Sequence, residues 1–140
     1  MSLDTAGLRV LTRAECLHLL RSVKVGRVAV SHRALPMILP VHFRVADDDS
    51  IRIETTPGTT LHRATADAVV AFEAEGPAGS TEPAWSVIVH GVATQPERMD
   101  RFAARGRVGI AISVDEVSGR EVLDVADPMA PAVTSAIARW

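Results

Sequence analysis

The sequence predicts a mainly β domain with a few helices, whose strands close into a small barrel. Six short segments carry the strand pattern, and helical patterns are brief and scattered between them. The chain has 140 residues, of which 47% are hydrophobic, which suits a single domain over residues 1–140 with one packed core. A doubly wound α/β fold is the alternative, but the helical segments are too short and too few for regular βαβ alternation.

Charge and composition exclude several classes of partner. The formal net charge is −2 and the pI is near 6.2, which argues against nucleic acid or an anionic membrane as the main partner. Cys16 is the one cysteine, so no internal disulfide forms, and a reducing compartment is expected. No secretory signal pattern and no apolar run of spanning length is present. We therefore expect a cytoplasmic protein with no membrane partner.

The first helix is predicted to begin after Thr12, because Thr12 and Glu15 have the spacing of a capping box. Apolar residues then recur at helical spacing and predict a buried stripe made of Cys16, Leu17, Leu20 and Val23. Gly26 is predicted to end this helix. Cys16 is interpreted as a small core residue, since no neighbour that would activate its thiol is visible.

Two strands follow, predicted over Arg27–Ser31 and Pro36–Val45. In the second, one face is wholly apolar and is expected to lie in the core: Met37, Leu39, Val41, Phe43 and Val45. Pro40 removes a backbone donor in the middle of this strand, which indicates an edge strand, a bulge or the border of a groove.

The stretch Ile51–Leu61 combines a strand, a turn and a helix start. Ile51, Ile53 and Thr55 alternate with polar residues, and Pro57-Gly58 ends the strand. Thr59 is predicted to cap a helix over residues 60–66. The backbone N–H groups of Thr60, Leu61 and His62, surrounded by the hydroxyls of Thr55, Thr56, Thr59 and Thr60, would then form an anion seat. The alternative is a plain connection whose threonines cap their own backbone.

The remaining segments complete the predicted barrel. Trp85–Thr94 is apolar on both faces, as expected of a strand between a core and an interface, and Gly91 marks close backbone approach or a bulge. The other predictions are strands over Ala68–Ala74 and Val108–Val114, a turn over Val117–Arg120, a short extension over Glu121–Val125, and helices over Pro96–Ala104 and Pro131–Trp140.

The order of these landmarks resembles the pyridoxamine 5′-phosphate oxidase-like, flavin-binding split barrels over most of the chain. The similar pieces are the opening helix at Leu11–Leu20, the hairpin at Gly26–Val30 and Pro36–Val41, the segment Ile51–Leu61, the strands at Val70–Glu73 and Trp85–Gly91, and the turn Val117–Arg120. The resemblance implies a six-stranded split β-barrel and a flavin mononucleotide-dependent oxidoreductase that acts on a small-molecule substrate. It does not specify that substrate.

The resemblance also implies a homodimer with two cofactor sites at the subunit interface. It places the flavin ring along Pro40, Val41 and His42, and it leaves Trp85 to line the site from the same or the partner subunit. It places the phosphate against the turn formed by Thr55, Thr56, Gly58, Thr59, Thr60 and Leu61. From the residues alone, a surface position for His42 is the alternative to a cofactor contact.

One departure from the family pattern lies at Thr60, where many relatives place a lysine. Arg63 or Arg52 could supply the missing charge, although Arg52 could equally pair with Glu54 or with the run Asp47–Asp49. The cofactor is therefore flavin mononucleotide, a deazaflavin or none. A deazaflavin-dependent reductase and a non-catalytic protein that is cofactor-free or binds haem remain the alternative functions. The five histidines lack metal-ligand spacing, so no metal site is predicted.

Overall fold

The strands and helices follow the predicted mainly β pattern. A computed structural model describes residues 2–77, 83–96 and 106–122. These residues form two helices, α1 (Arg13–Leu20) and α2 (Thr60–Ala64), and ten strands. The strands are β1 (Ser2–Leu3), β2 (Arg9–Val10), β3 (Val25–His32), β4 (Leu35–His42), β5 (Arg44–Val45), β6 (Ile51–Thr55), β7 (Ala68–Gly76), β8 (Trp85–Thr94), β9 (Val108–Ile112) and β10 (Glu116–Glu121).

All strand pairs are antiparallel, and β8 is the strand at which the sheet branches. One edge of β8 pairs with β7, which leads through β3 to β4. The other edge pairs with β10 along Trp85–His90 and with β9 at Ala93 and Thr94. β9 then pairs with β6, and β6 with β5, while β10 leads to β2 and β1.

The sheet is split between β4 and β6, so the predicted closed barrel is corrected to an open one. β4 pairs with β3, whereas β5, which continues the same run of chain, pairs with β6. Phe43 lies between β4 and β5 in the chain. Its N–H donates to the Lys24 carbonyl at 2.9 Å, on the side of β3 and away from β6. This is the split-barrel architecture that the family resemblance implies, and it confirms the predicted fold class.

The apolar positions of the alternating strands form one core. Ile51 and Ile53 of β6, Val28 of β3 and Val89 of β8 have almost no exposed surface. The side chains of β7 that face inward, as predicted, are those of Val70, Phe72 and Ala74. The Phe72 ring meets the Phe43 ring edge-on, with 4.7 Å between the ring centroids. Core packing therefore fixes the inward residues of β4, β6 and β7, and the residues between them face outward.

The first helix begins as predicted and ends earlier than predicted. Thr12 is the N-cap, and its hydroxyl accepts a hydrogen bond from the Glu15 N–H at 3.2 Å. The helix ends at Leu20, and Gly26 lies inside β3. A side chain at Gly26 would stand 2.5 Å from the Phe72 ring. The glycine therefore permits close packing between strands, and it does not end the helix.

The predicted turn Val117–Arg120 is wrong, because these residues belong to β10 and pair with β8. Gly119 stands opposite Val87 and is buried under α1. A Cβ at Gly119 would lie 2.6 Å from the Cys16 sulfur, so glycine is needed where the helix crosses the strand. Cys16 is fully buried, as predicted, and burial raises the pKa of its thiol.

Three predicted segments lie largely outside the described residues. They are the helices over Pro96–Ala104 and Pro131–Trp140 and most of the extension over Glu121–Val125. Within the described ranges, neither helix is long and apolar enough to cross a membrane.

Candidate functional site

The predicted ring-binding stretch lies at the end of β4, and the predicted phosphate turn follows β6, a strand that approaches β4 at the split. Arg44 stands opposite Arg52 and Val45 opposite Ile51, so β5 fixes the position of β6 beside the end of β4. Pro40 and His42 are exposed on β4, while Val41 between them points into the core. Only the backbone of Val41 is therefore available to a ligand on the outer surface.

A cavity of about 210 Å³ opens at this split. Its lining residues are His42, Phe43, Arg44, Arg52, Ile53 and Glu54. Enclosed pockets for drug-sized ligands usually measure about 300–1,000 Å³, so one chain supplies less than a complete pocket for a molecule of that size.

The cavity is lined by basic side chains whose charges are only partly neutralised. Arg52 forms an ion pair with Asp48 at 3.0 Å and donates to the Ser50 hydroxyl at 2.8 Å. The Ser50 hydroxyl and N–H groups, with Arg52, lower the pKa of Asp48 to about 2. Arg44 forms no ion pair within the described part of the chain. The cavity therefore carries excess positive charge.

Glu54 is the acidic residue of the cavity wall, and it pairs with Arg107, which directly precedes β9. The two side chains form an ion pair at 3.2 Å, and Arg107 also donates to the Glu54 carbonyl at 3.3 Å. Arg52 thus pairs with the aspartate run and not with Glu54, which decides between the two partners expected for it.

The threonine-rich turn folds as predicted. Thr59 is the N-cap of α2, and its hydroxyl accepts from the His62 N–H at 3.2 Å and lies 2.8 Å from the Thr55 hydroxyl. The helix ends at Ala64, two residues before the predicted end. Because the cap takes the His62 N–H, the expected set of three first-turn donors is reduced to those of Thr60 and Leu61.

Gly58 has the backbone conformation that the turn requires. Its φ is +85°, and a Cβ at this position would meet no atom within 4 Å. The φ angle and not crowding therefore explains the glycine. The Gly58 N–H donates to Nδ1 of the His62 imidazole at 2.9 Å. The Gly58 amide, at the centre of the turn, is therefore already hydrogen-bonded to a side chain of the same segment, that of His62.

The predicted site residues fall into two groups. The predicted site residues with exposed or half-buried side chains, at the surface of β4 or of the threonine turn, are Pro40, His42, Thr56, Gly58, Thr59 and Thr60. Val41, Thr55 and Leu61 belong to the same segments with buried side chains. The structure does not bring Trp85 to this surface, because its side chain is 4% exposed and packs in the core beside Gly76.

Sequence reasoning missed two features of this region. The first is the place of Arg44 opposite Arg52, which depends on strand register. The bond from Gly58 to His62 joins residues at a four-residue spacing, which a turn followed by a helix makes possible. No cluster of three potential metal-ligating side chains occurs among residues 2–77, 83–96 and 106–122.

Comparison with known proteins agrees with this architecture. A family profile described as pyridoxamine 5′-phosphate oxidase matches residues 12–112. An uncharacterised protein of Mycobacterium tuberculosis, Rv0080, is 37% identical over 114 residues, which cover 76% of this chain and 75% of that protein.

Solved structures show the same fold. The FAD-binding protein of Mycobacterium smegmatis is 29% identical, with a TM-score of 0.70 over 82% of this chain and 98% of that one. A FAD- and haem-binding protein of the same organism is 15% identical, with a TM-score of 0.68 over 89% of this chain and 78% of that one, a likeness of fold alone. The profile match spans well over half of the residues, and the chain therefore belongs to the pyridoxamine 5′-phosphate oxidase family.

Proposed function

We propose that this protein binds a flavin nucleotide at the split between β4 and β6 and acts as an oxidoreductase on a small molecule. The observation that carries the proposal is the approach of β4, with Pro40 and His42 exposed, to β6, the strand that leads into the threonine turn, beside a basic cavity. The 29% identical M. smegmatis protein, which binds FAD, supports a flavin as the ligand class. We take flavin mononucleotide as the specific cofactor.

The residues present fit such a cofactor. Pro40 and His42 offer a flat, exposed strand surface for the ring, with the Val41 backbone between them. The turn offers the Thr56 and Thr60 hydroxyls, the first-turn N–H groups of α2, and a glycine at φ +85° that keeps side-chain bulk away. Hydroxyl and amide donors are suited to a phosphate group, and the nearby carboxylate of Glu54 is paired with Arg107.

When bound, a flavin supplies the redox chemistry itself, and the protein contributes binding and orientation. In this chain the outward side of β4 would orient the ring, and the turn would hold the phosphate end. The buried side chains of Val41, Thr55 and Leu61 keep both segments fixed against the core, so that the spacing between them is constant.

A bound phosphate needs a positive charge beside it. Position 60 is a threonine and not a lysine, so another residue must supply that charge. Arg52 is engaged by Asp48 and Ser50, whereas Arg63 is exposed and forms no ion pair within the described residues. Of the two arginines considered, we therefore favour Arg63, which lies one turn of helix beyond the seat.

We further propose that two copies of the chain complete the site. Ile38, Ala29 and Ala71 stand side by side across three strands on the outer face of the sheet, and Val69 stands opposite Val92. Ile38 and Val69 expose 71% and 78% of their surface. A second copy would cover this apolar face and enclose the small cavity.

The test is titration of the purified protein with flavin mononucleotide, FAD, riboflavin and a deazaflavin, read by quenching of flavin fluorescence. We expect flavin mononucleotide to bind more tightly than riboflavin, because only the former carries the phosphate. Equal affinity for both would contradict the phosphate seat. Binding of none of the four would overturn the proposed function and favour the cofactor-free alternative.

A further inference from the structure

The His62 imidazole accepts the hydrogen bond of the Gly58 N–H, a third backbone donor of the threonine turn beside those of Thr60 and Leu61. We infer that His62 is a proton-operated latch on this turn: neutral, it holds the turn closed, and protonated, it releases the Gly58 amide and contributes a positive charge to the bound phosphate. This inference rests on the proposed function, since it concerns the regulation of the same site.

The contact itself fixes the protonation state in which the latch is closed. The Gly58 N–H can only donate, and it does so to Nδ1 of His62 at 2.9 Å. Nδ1 must therefore lack a proton, and the neutral ring carries its hydrogen on Nε2. Protonation would place an N–H on Nδ1 facing the Gly58 N–H, and two donors cannot share that contact.

The surroundings allow the ring to move while the backbone stays in place. The His62 N–H donates to the Thr59 hydroxyl at 3.2 Å, and the His62 carbonyl accepts from the Gln95 side chain at 2.7 Å. Thr65 strengthens this anchor, because its hydroxyl donates to the Leu61 carbonyl at 2.6 Å. Release of Nδ1 therefore frees the imidazole without unravelling α2.

Within the described residues, no carboxylate forms an ion pair with His62 that would compete with a bound anion. Arg63 and Asp67 are the charged residues of its own segment, and Glu54 on β6 is held by Arg107. Arg27 on β3, the strand packed against α2, pairs with Glu73 and Glu75. An anion at the turn would be the natural partner of a protonated His62.

A phosphate at the turn and the neutral imidazole compete for the same amide. Binding by the neutral form must break the bond from Gly58 to His62, whereas binding by the protonated form gains a charge-assisted hydrogen bond. The position where relatives carry lysine holds Thr60 here, so His62 would supply a cation that is present only at lower pH.

The experiment compares wild type with His62→Ala, and uses His18→Ala, an exposed histidine on α1, as the matched control. Affinities for flavin mononucleotide and riboflavin are measured at about pH 5.5 and about pH 8.5, on either side of the usual histidine pKa. Because the phosphate also titrates in this range, the quantity compared is the ratio of wild-type to His62→Ala affinity, in which the ionisation of the ligand cancels.

We expect this ratio for flavin mononucleotide to rise about tenfold from the higher to the lower pH, as for one charged hydrogen bond. At the higher pH, His62→Ala should bind more tightly than wild type. Riboflavin and His18→Ala should show no such change. A ratio that does not move with pH, while flavin mononucleotide still binds better than riboflavin, would overturn the latch and leave the proposed function standing.

A second measurement needs no ligand and so separates the two proposals. In ¹⁵N-labelled protein, the Gly58 amide resonance should shift upfield as His62 is protonated, and the same resonance in His62→Ala should not titrate. A Gly58 amide that is insensitive to pH in wild type would overturn the latch, even if flavin binding is found. A titrating amide with no flavin binding would support the latch contact and contradict the flavin assignment.

Discussion

Arg44 and Arg52 face each other directly across the two-residue strand pair that links β5 to β6. Only Arg52 has an acidic partner in the described structure, Asp48 at 3.0 Å. Like charges in directly opposed strand positions destabilise a sheet, and here they do so in the pairing of β5 with β6, which joins the two sides of the split. The protein therefore holds this positive pair at some cost in stability.

Replacing Arg44 should relieve that cost. We expect Arg44→Thr to raise the free energy of unfolding by about 0.5 kcal/mol at low salt, through loss of the opposed charge and a gain in strand propensity. Urea denaturation at two ionic strengths measures the effect, and the electrostatic part should shrink as salt rises. Arg44→Lys keeps the charge and serves as the control. Equal stabilisation by both variants would show that repulsion is not the cause.

Restoring a cation at Thr60 should strengthen flavin mononucleotide binding. Thr60→Lys places an ammonium group beside the proposed phosphate position, and the affinity should rise about five- to thirtyfold, after desolvation and side-chain ordering offset part of the attraction. Fluorescence titration measures the dissociation constants, with riboflavin as the ligand that lacks the phosphate. If riboflavin binding improves by the same factor, the lysine acts on something other than the phosphate.

The apolar outer face should control assembly. We expect light scattering to give the mass of a dimer for wild type, because a stable interface of about 1,600 Å² fits the exposed face around Ile38 and Val69. Ile38→Glu should give a monomer, since it places a charge on that apolar face. Leu3→Glu, at a residue 52% exposed on β1, is the matched control and should remain dimeric. A monomeric wild type at micromolar concentration would contradict the interface.

Asp48 should contribute stability that depends on pH. The Ser50 hydroxyl and N–H and the Arg52 guanidinium lower the pKa of Asp48 from 3.8 to about 2, so the folded state favours its ionised form. The contribution is therefore fully present above about pH 4 and is lost as the pH falls through about 2. Asp48→Asn should lower the unfolding midpoint at neutral pH and lose its effect near pH 2. Asp47→Asn, at an exposed neighbour, should change neither.

Gly91 should be intolerant of any side chain. A Cβ there would stand 1.6 Å from the Ser113 carbonyl oxygen, at the point where the chain passes from β9 to β10 along β8. Gly91→Ala should cost about 3 kcal/mol, because the connecting segment at Ser113, which hydrogen-bonds to β8, must move away to admit the methyl group. Gly7→Ala, at φ +79° in open space, should cost only about 1–2 kcal/mol. Thermal unfolding of the two variants compares crowding with backbone strain.

Local signals explain why much of the fold could be predicted. Three of these signals depend only on neighbours within a few residues. They are the cap at Thr59, the proline in an edge strand, and the alternation of Ile51, Ile53 and Thr55 with polar residues. Gly119 shows where this reasoning fails, because a Ser-Gly-Arg sequence resembles a turn. The need for glycine there comes from Cys16, about one hundred positions away in the chain.

The candidate site was predictable in its segments and not in its contacts. The resemblance implies Pro40, His42 and the turn after Thr55 as binding segments, and in the structure the strands that carry or precede them, β4 and β6, approach each other. The opposition of Arg44 and Arg52 depends on strand register, which no local pattern of residue types encodes. The positive φ angle of Gly58 is what a Pro-Gly turn predicts, whereas the bond from Gly58 to His62 depends on where the following helix places the imidazole.

The prolines of β4 limit how many backbone hydrogen bonds the edge of this sheet can form with another strand. Because the Phe43 N–H donates toward β3 and the direction alternates along a strand, the N–H positions of residues 36, 38, 40 and 42 face the edge of β4 that no other described strand covers. Pro36 and Pro40 remove two of these four donors and leave those of Ile38 and His42. A passing strand would find too few partners to add itself to the sheet, so the edge is protected from fibril-like growth even though its side chains are strongly apolar. Contacts with other molecules are thereby directed to the face of the sheet.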